Sequence, residues 1–372
     1  MSHVVDTRHP QAWKDFQNSA AKGSAARQKL MDCFSFKCSA CGKCCNSPPQ
    51  MSIPELFHHQ DLFVGCLAIR RIKRWELGMR IGVEAQSHAA DAADVKAFAT
   101  LADQLLFRLA RPLDRGYDFA LLTQGFTYPS LSSCPALGDD NQCTIHFNKH
   151  PAACSAVPMD ALVPDHLQHV VLASRNHAEN YFDAECIVEG AREGFALVTR
   201  RGEVVDESFR VALAQRRADL AADKYWWGNT VFSLLRNDLF ASPRESARIP
   251  AGGGFFFISL VPVLAVLASI SKTCRARVLE YIDVQLLLMS ALIEQALHRQ
   301  NADDKPTTQQ LRAWSDSYRA LHKSLKAEAT PSNEISSQGC AEAWLRGASI
   351  PSELIGGPSV EIVHSTARGS HI

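Results

Sequence analysis

The sequence lacks net charge, because its 39 Lys and Arg residues are matched by 39 Asp and Glu residues. No overall field therefore draws the protein toward a polyanion, and we expect no nucleic-acid partner. One short basic run, from Arg70 to Arg74, interrupts this balance. In a neutral chain such a run is more typical of a solvated helix face than of a phosphate-binding surface.

The sequence also lacks a long hydrophobic run. The longest, Phe255 to Ile270, is shorter than the roughly 18–20 residues that a membrane span requires, and Pro262 interrupts it. It predicts a buried helix. The first residues, MSHVVDTRHPQAWKDF, lack the apolar segment that follows a basic start in a secretory signal. We therefore expect a cytoplasmic protein with no membrane partner.

The short motifs of several enzyme classes are missing as well. The sequence contains no G-x-S-x-G, no H-E-x-x-H and no dinucleotide-binding fingerprint. The glycines at 252–254 are not followed by Lys and Ser or Thr, so they do not predict a phosphate loop. No catalytic residue is assigned from the sequence, and whether the protein is an enzyme stays open.

Cysteine, by contrast, is abundant and unevenly placed: ten of the twelve lie between Cys33 and Cys186. Disulfides are rare in the cytoplasm, so this concentration indicates metal ligands or redox groups. The densest group has the pattern C-x2-C-x2-C-C and runs from Cys38 to Cys45. A C-x2-C turn directs two thiolates toward one metal, and Gly42 relieves the backbone where that turn is tightest.

A second cysteine group follows about ninety residues later, with a turn at Gly138 between its first two members. Together the two groups predict a domain that closes around a metal centre. The predicted ligands are Cys38, Cys41, Cys44, Cys45, Cys134, Cys143 and Cys154.

The order of these motifs resembles the YkgJ family of cysteine-cluster proteins, over about residues 33–175. That family is described as a zinc- or iron-chelating domain, so the resemblance implies a metal-chelating function. His150 and Ser155 stand where the family has arginine, which leaves a shared anionic substrate without support. The resemblance rests on Cys38, Cys41, Gly42, Cys44, Cys45, Cys134, Cys143, Thr144, Ile145, Pro151 and Cys154. A more distant similarity, to the flagellin lysine methylases, implies modification of a peptide or protein.

The cysteine pattern allows two kinds of metal centre. An iron–sulfur cluster is favoured, because the C-x2-C-x2-C run with a remote Cys134-Pro135 is similar to the bacterial ferredoxin pattern. A mononuclear zinc or iron ion is the alternative. The neighbours Cys44 and Cys45 cannot easily point at one ion, so one of them is expected to serve a second site or a redox role.

Several other residues could extend the centre. Cys33, Cys66 and Cys186 are each a possible eighth thiol, which would complete two four-ligand sites, although an ordinary buried cysteine is the favoured interpretation. His146 is a possible ligand, but a loop histidine without metal is favoured. The remaining Cys274 and Cys340 are interpreted as structural.

The predicted fold class is α+β and predominantly helical. The chain divides into a polar lead-in (1–32), a cysteine-cluster metal-binding domain (33–205), a helical domain (206–350) and a frayed tail (351–372). The predicted elements are a helix capped by Ser52 and Glu55, a helix from Asp91 to Arg111, a strand from Tyr117 to Leu122, a hairpin from Phe195 to Val205, helices within 206–240, 255–270 and 275–299, and a helix capped by Thr307.

Three functions remain: an iron–sulfur or iron-dependent enzyme acting on a peptide, protein or small molecule; a metal storage or delivery module; and a structural zinc protein whose helical half binds a partner. The aromatic residues from Tyr225 to Trp227 could line a pocket, but a core position is favoured. We expect the helical half to cover the metal centre and to form a cavity with the cysteine domain.

Overall fold

A computed structural model of the chain describes residues 32–82, 87–109, 116–176, 185–250, 253–327 and 338–348. About 50% of the described residues are helical and 16% lie in strands, which confirms the predicted α+β class. All but the last residue of the predicted lead-in, and the whole of the predicted tail, lie outside the described residues. Among the helices of the described ranges, none is both long and apolar enough to cross a membrane.

The described elements follow one another as short strands and helices up to residue 204 and as longer helices after it. The helices are α1 (Ile53–His58), α2 (Ala92–Leu105), α3 (Ala152–Ser155), α4 (Gln168–Asn176), α5 (Glu207–Asp223), α6 (Asn229–Leu235), α7 (Pro243–Ser246), α8 (Val261–Ala268), α9 (Lys272–Arg299), α10 (Lys305–Ala327) and α11 (Gln338–Leu345). The strands are β1 (Phe34–Phe36), β2 (Val64–Lys73), β3 (Arg80–Ile81), β4 (His88–Ala89), β5 (Tyr117–Phe126), β6 (Ile187–Glu189), β7 (Ala196–Arg200), β8 (Glu203–Val204) and β9 (Phe256–Ser259).

The two longest strands, β2 and β5, form a three-stranded antiparallel sheet with β9, in the order β5-β2-β9. Strand β2 pairs with β5 along its full length, from Val64 opposite Phe126 to Lys73 opposite Tyr117. Its other edge pairs with β9, where Cys66 lies opposite Ser259. A strand from the predicted helical half thus completes a sheet of the predicted cysteine domain.

A second antiparallel sheet, in the order β6-β1-β7-β8, brings residues 34–36 against the region that follows Cys186. The hydrophobic side chains form two clusters. The larger cluster extends from Met51 to Leu345 and draws on both predicted domains, and the smaller one extends from Phe34 to Leu220. The two halves therefore share a core as well as a sheet, and the division at residue 206 stays a sequence-based prediction.

Helix α1 begins as its sequence predicts. Ser52 occupies the position before the first turn, and Glu55 accepts a hydrogen bond from the Ser52 backbone N–H at 2.7 Å, as in a capping box. The predicted start of α2 at Asp91 is also correct, but the helix ends at Leu105. Beyond it, Phe107 exchanges backbone hydrogen bonds with Phe119 of β5, so the chain leaves helical geometry earlier than predicted.

The apolar segment 255–270 is only partly helical, and the prediction of one continuous helix was wrong. Its first part is strand β9, because β2 offers a free edge whose backbone groups need partners. Helix α8 starts only at Val261, with Pro262 in its first turn, where a missing N–H costs no hydrogen bond. The proline thus starts the helix and does not interrupt it.

Two further predictions were wrong. Thr307 is not a cap but a buried residue near the start of α10, which begins at Lys305 after a short turn at Ala302–Asp304. The basic run from Arg70 belongs to β2 and the loop after it, not to a helix face. Its side chains have partners: Arg71 donates to the carbonyl of Ser246, and Arg74 bonds Asp118 at 2.8 Å.

Candidate metal centre and adjoining cavity

The first cysteine group forms a tight loop that ends in a single 3-10 turn at Lys43–Cys45. Gly42 precedes that turn with φ at 71°, a left-handed conformation that strongly favours glycine. A Cβ atom at this position would also lie 3.3 Å from side-chain atoms of both Leu137 and Asn141. The glycine therefore allows both the turn and the close approach of the second cysteine segment.

The second segment lies directly against the first. The backbone N–H of Cys134 donates to the carbonyl of Cys45 at 2.7 Å. The loop then turns at Gly138, whose N–H donates to the carbonyl of Gln142 at 2.9 Å. Next to this turn, the backbones of Leu137 and Cys143 pair in an isolated antiparallel β-bridge. Two cysteine groups separated by about ninety residues in sequence are thus adjacent in the fold, as their motifs predict.

The third remote cysteine, Cys154, lies on the short helix α3. The Glu55 side chain fixes this helix, because its Oε1 accepts from the N–H of Ala152 at 2.7 Å while its Oε2 caps α1 through Ser52. The Glu55 carboxylate also lies near enough to act on the charge of Cys154. The Glu55 carboxylate therefore joins α1, which follows the first cysteine group, to α3, which carries Cys154.

All twelve cysteines lie in the described residues, and all are free thiols. The Sγ atoms of Cys44 and Cys45 are 3.9 Å apart. The hydrogen bond from Cys44 lowers the pKa of Cys45, whereas burial raises the pKa of Cys134 to about 11 and that of Cys154 to about 12. Neighbouring thiols act in the same direction as burial at these two sites, because thiolates brought together repel.

The described side chains do not themselves form a finished metal site. Within the described ranges, no group of three or more cysteine, histidine, aspartate or glutamate side chains is arranged so that it could hold a metal ion. The donor set nevertheless suits a soft or borderline cation, since Cys45, Cys134, Cys143 and Cys154 act on one another's charges across three segments of the chain. A bound cation would offset the repulsion between the thiolates of this set. The seven-cysteine ligand set stays a prediction.

The other cysteines are spread more widely. Cys66 is fully buried in β2, Cys274 is buried in α9, and Cys340 lies on α11. Cys33 precedes β1, at the opposite end of that strand from Cys38. His146 is exposed, and its ring is 4.9 Å from the ring of His150.

A cavity of about 980 Å³ lies beside the cysteine segments. Its wall includes residues of α1 and some of the residues at and before α3 from one half of the chain, and parts of α5, α9 and α11 from the other. Its polar lining residues include Glu55, His150 and Asp219 as well as the basic side chains of Arg277 and Arg346. A cavity lined from both halves is thus present, although no predicted ligand is among its lining residues.

Two carboxyl groups on α5 have unusual acidities. Burial, reinforced by the charge of Glu55, raises the pKa of Asp219 to about 6. Asp223 lies deeper, and burial raises its pKa to about 7 although it accepts a hydrogen bond from Trp227 Nε1 at 3.0 Å. Carboxyl groups with raised pKa values beside a cavity are typical of functional sites. Neither carboxyl group could be predicted from the sequence, because only the tertiary fold buries them.

The aromatic residues after α5 occupy a π-helical turn at Lys224–Gly228. Trp226 and Trp227 are almost fully buried and belong to the larger core, which confirms the favoured interpretation. The π turn ends the regular hydrogen bonding of α5 just after Asp223, and such turns are frequent at functional sites.

Comparison of the chain with protein-family models, with curated proteins and with solved structures found no match in any of the three. The resemblance to the YkgJ family therefore stays a prediction carried by the motif residues alone.

Proposed function

We propose that the protein binds metal through a cysteine-ligated centre formed by Cys38, Cys41, Cys44, Cys45, Cys134, Cys143 and Cys154. The observation that carries the proposal is the backbone hydrogen bond of 2.7 Å between Cys134 and Cys45. It joins two cysteine motifs that lie about ninety residues apart in sequence, and every cysteine involved is a free thiol.

The protein's own part in this function is to hold the donors together. Gly42 lets the first loop approach the second, and Glu55 holds the helix of Cys154 in place. Metal binding releases the thiol protons, and the raised pKa values of Cys134 and Cys154 mean that this release is favoured as the pH rises. An iron–sulfur cluster is the favoured occupant and would supply electron-transfer or Lewis-acid chemistry; a zinc or iron ion is the alternative.

A second candidate function is an enzyme that modifies a peptide or small molecule near this centre. The cavity supports it, because α3 carries Cys154 and also contributes to the cavity wall. Its volume of about 980 Å³ lies at the upper end of the range of ligand pockets. Its lining carries both acidic and basic side chains, which suits a ligand that carries both charges. A metal storage or delivery module, or a structural zinc protein, would need no such cavity.

The cellular setting belongs to the same proposal. Free thiols in a cluster persist in a reducing compartment, which supports a cytoplasmic location. Membership of the YkgJ family would fit this function, and its support is the spacing of the matched cysteines.

Thermal unfolding with and without a chelator, under anaerobic reducing conditions, tests whether metal stabilises the fold. We expect the chelator to lower the unfolding midpoint, because metal ligation contributes several kcal/mol to the folding of small thiolate sites. A Cys45→Ser variant should show a smaller chelator effect, whereas Cys340→Ser, which changes a cysteine of α11, should behave as the wild type. Equal midpoints with and without chelator in the wild type would contradict the proposal.

A further inference from the structure

The cysteines near the proposed centre fall into two groups that pack on different cores. Cys134 belongs to the larger hydrophobic cluster, and Cys45 and Cys143 pack against it. Cys186 belongs to the smaller cluster, and Cys41 packs against that one. The first loop therefore lies across the boundary between the two cores, with its early part on one side and its last cysteine on the other.

The position of Cys186 follows from the second sheet. Strand β1 pairs with β6 in the antiparallel direction, with Phe36 opposite Ile187. The next hydrogen bond in this ladder runs from the N–H of Lys37 to the carbonyl of Cys186 at 3.0 Å. Cys186 is thus held at the end of β1 where the C-x2-C loop begins, about 150 residues away in sequence.

We propose that eight thiols form two separate four-cysteine metal sites, one from Cys38, Cys41, Cys44 and Cys186, and the other from Cys45, Cys134, Cys143 and Cys154. This inference rests on the proposed function and adds Cys186 to the predicted ligands. It also gives Cys44 and Cys45 to different sites. Four thiolates are a usual ligand set both of a closed zinc site and of an iron–sulfur cluster, so each group can hold one metal centre, for which Zn²⁺ serves as the probe.

Electrostatic contacts support the same division. The cysteines that lie near enough to act on the charge of Cys186 are Cys41, Cys44 and Cys38. The cysteines outside its own loop that act on Cys45 are Cys134, Cys154 and Cys143. Cys44 also acts on Cys154, and its Sγ atom is 3.9 Å from that of Cys45, as expected where two sites meet at one dipeptide.

A nearby cation would offset part of the charge on the first site. The guanidinium of Arg175, at the end of α4, lies near enough to Cys44 to act on its charge. This matters because two closed four-thiolate sites side by side carry substantial negative charge.

Cys33 provides a matched control. It lies directly before β1, whereas the first cysteine loop and Cys186 lie at the other end of that strand. The Cys33 carbonyl accepts a hydrogen bond from the N–H of Gly190. Gly190 follows β6, whereas Cys186 precedes that strand. At about 3.3 Å per residue, the three residues of β1 and its flanks separate Cys33 from Cys38 by roughly 16 Å. Cys33 therefore cannot share a metal with Cys38 while β1 is formed.

The experiment is native mass spectrometry of the full chain, freed of metal, reduced and then titrated with Zn²⁺ alone in the absence of oxygen. We expect two zinc ions in the wild type and in Cys33→Ser, and one tightly bound ion in Cys186→Ser and in Cys154→Ser. The double variant should lose both. Circular dichroism reports whether each variant has folded.

Cadmium NMR of the wild type keeps the test valid if a variant fails to fold. Two cadmium resonances, each correlated with the β-protons of four cysteines, would support the inference, with Cys186 among the correlated residues. A single bound ion that does not correlate with Cys186 would overturn the two-site inference and leave the proposed function standing. A wild-type chain that binds neither zinc nor cadmium would overturn the proposed function itself.

Discussion

Replacing the buried Asp223 by asparagine should flatten the pH dependence of the protein's stability. Asp223 joins three elements: its Oδ1 accepts from the N–H of Ile53 at 3.4 Å and from Trp227, and its Oδ2 accepts from Thr123 at 3.5 Å. Burial raises the pKa of its carboxyl to about 7, compared with 3.8 for an unperturbed Asp. An asparagine fits the same contacts, since its oxygen can accept from Trp227 and its amide can donate to Thr123.

The sign and size of the effect follow from that pKa. A carboxyl with a raised pKa in the folded state keeps its proton there after the unfolded chain has lost it, so its contribution to stability falls as the pH rises from about 4 to about 7. With a folded pKa of about 7, the free energy of unfolding should fall by about 2.5 kcal/mol between about pH 5 and about pH 8 through this group. In Asp223→Asn that part of the pH dependence should disappear.

Urea unfolding at a series of pH values, with reductant and chelator present, measures the effect. The comparison is between pH profiles, because Asp219 also has a raised pKa and remains in both proteins. Asp238→Asn, which changes an exposed carboxyl, is the control and should follow the wild-type profile. If Asp223→Asn and the wild type lose stability in parallel with rising pH, the assignment of a protonated, buried Asp223 is wrong.

Two other carboxylates should matter for stability in different ways. Glu55→Gln removes the charge of a carboxylate that accepts hydrogen bonds from the N–H groups of Ser52 and Ala152. We expect the free energy of unfolding in urea to fall by about 1–2 kcal/mol and metal binding to weaken. The control Glu76→Gln changes an exposed carboxylate and should alter neither quantity. Asp94→Asn weakens contacts of 2.7 Å to both His88 and His166 and should cost about 1–3 kcal/mol at neutral pH. Burial would raise the pKa of Asp94, but hydrogen bonds from the Asp91 backbone and the two histidines hold it at about 2, so its contribution should fade as the pH falls from about 4 toward 2. An Asp94→Asn deficit that stays the same at about pH 3 and at neutral pH would contradict this interpretation.

The sequence predicts helix starts well where the signal is local. The capping residues Ser52 and Asp91 lie within three residues of the groups that they satisfy, so their patterns are visible without tertiary information. Strands β2 and β9 were not predicted, because each is an apolar run whose identity depends on a distant partner. Cys66 and Ser259 are paired across nearly two hundred residues, and no local pattern records that pairing.

The candidate site shows the same division between local and tertiary information. Motif spacing predicts that the segments of Cys45 and Cys134 meet, and they do. Cys186 has no motif around it, and only the pairing of β1 with β6 brings it to the first loop. The raised pKa values of Asp219 and Asp223 arise from burial between elements, which composition and spacing do not reveal.

The central claim is that the clustered cysteines hold a metal. Its most direct test is elemental analysis, with sulfide determination and an absorbance spectrum, of full-length protein purified without oxygen and without a metal-affinity step. The account predicts bound iron with sulfide, or bound zinc or iron, that is lost in a variant lacking Cys45 and Cys134 and retained in Cys340→Ser. Wild-type protein that is folded, fully reduced and free of metal, and that stays so after incubation with iron and sulfide or with zinc, would contradict it.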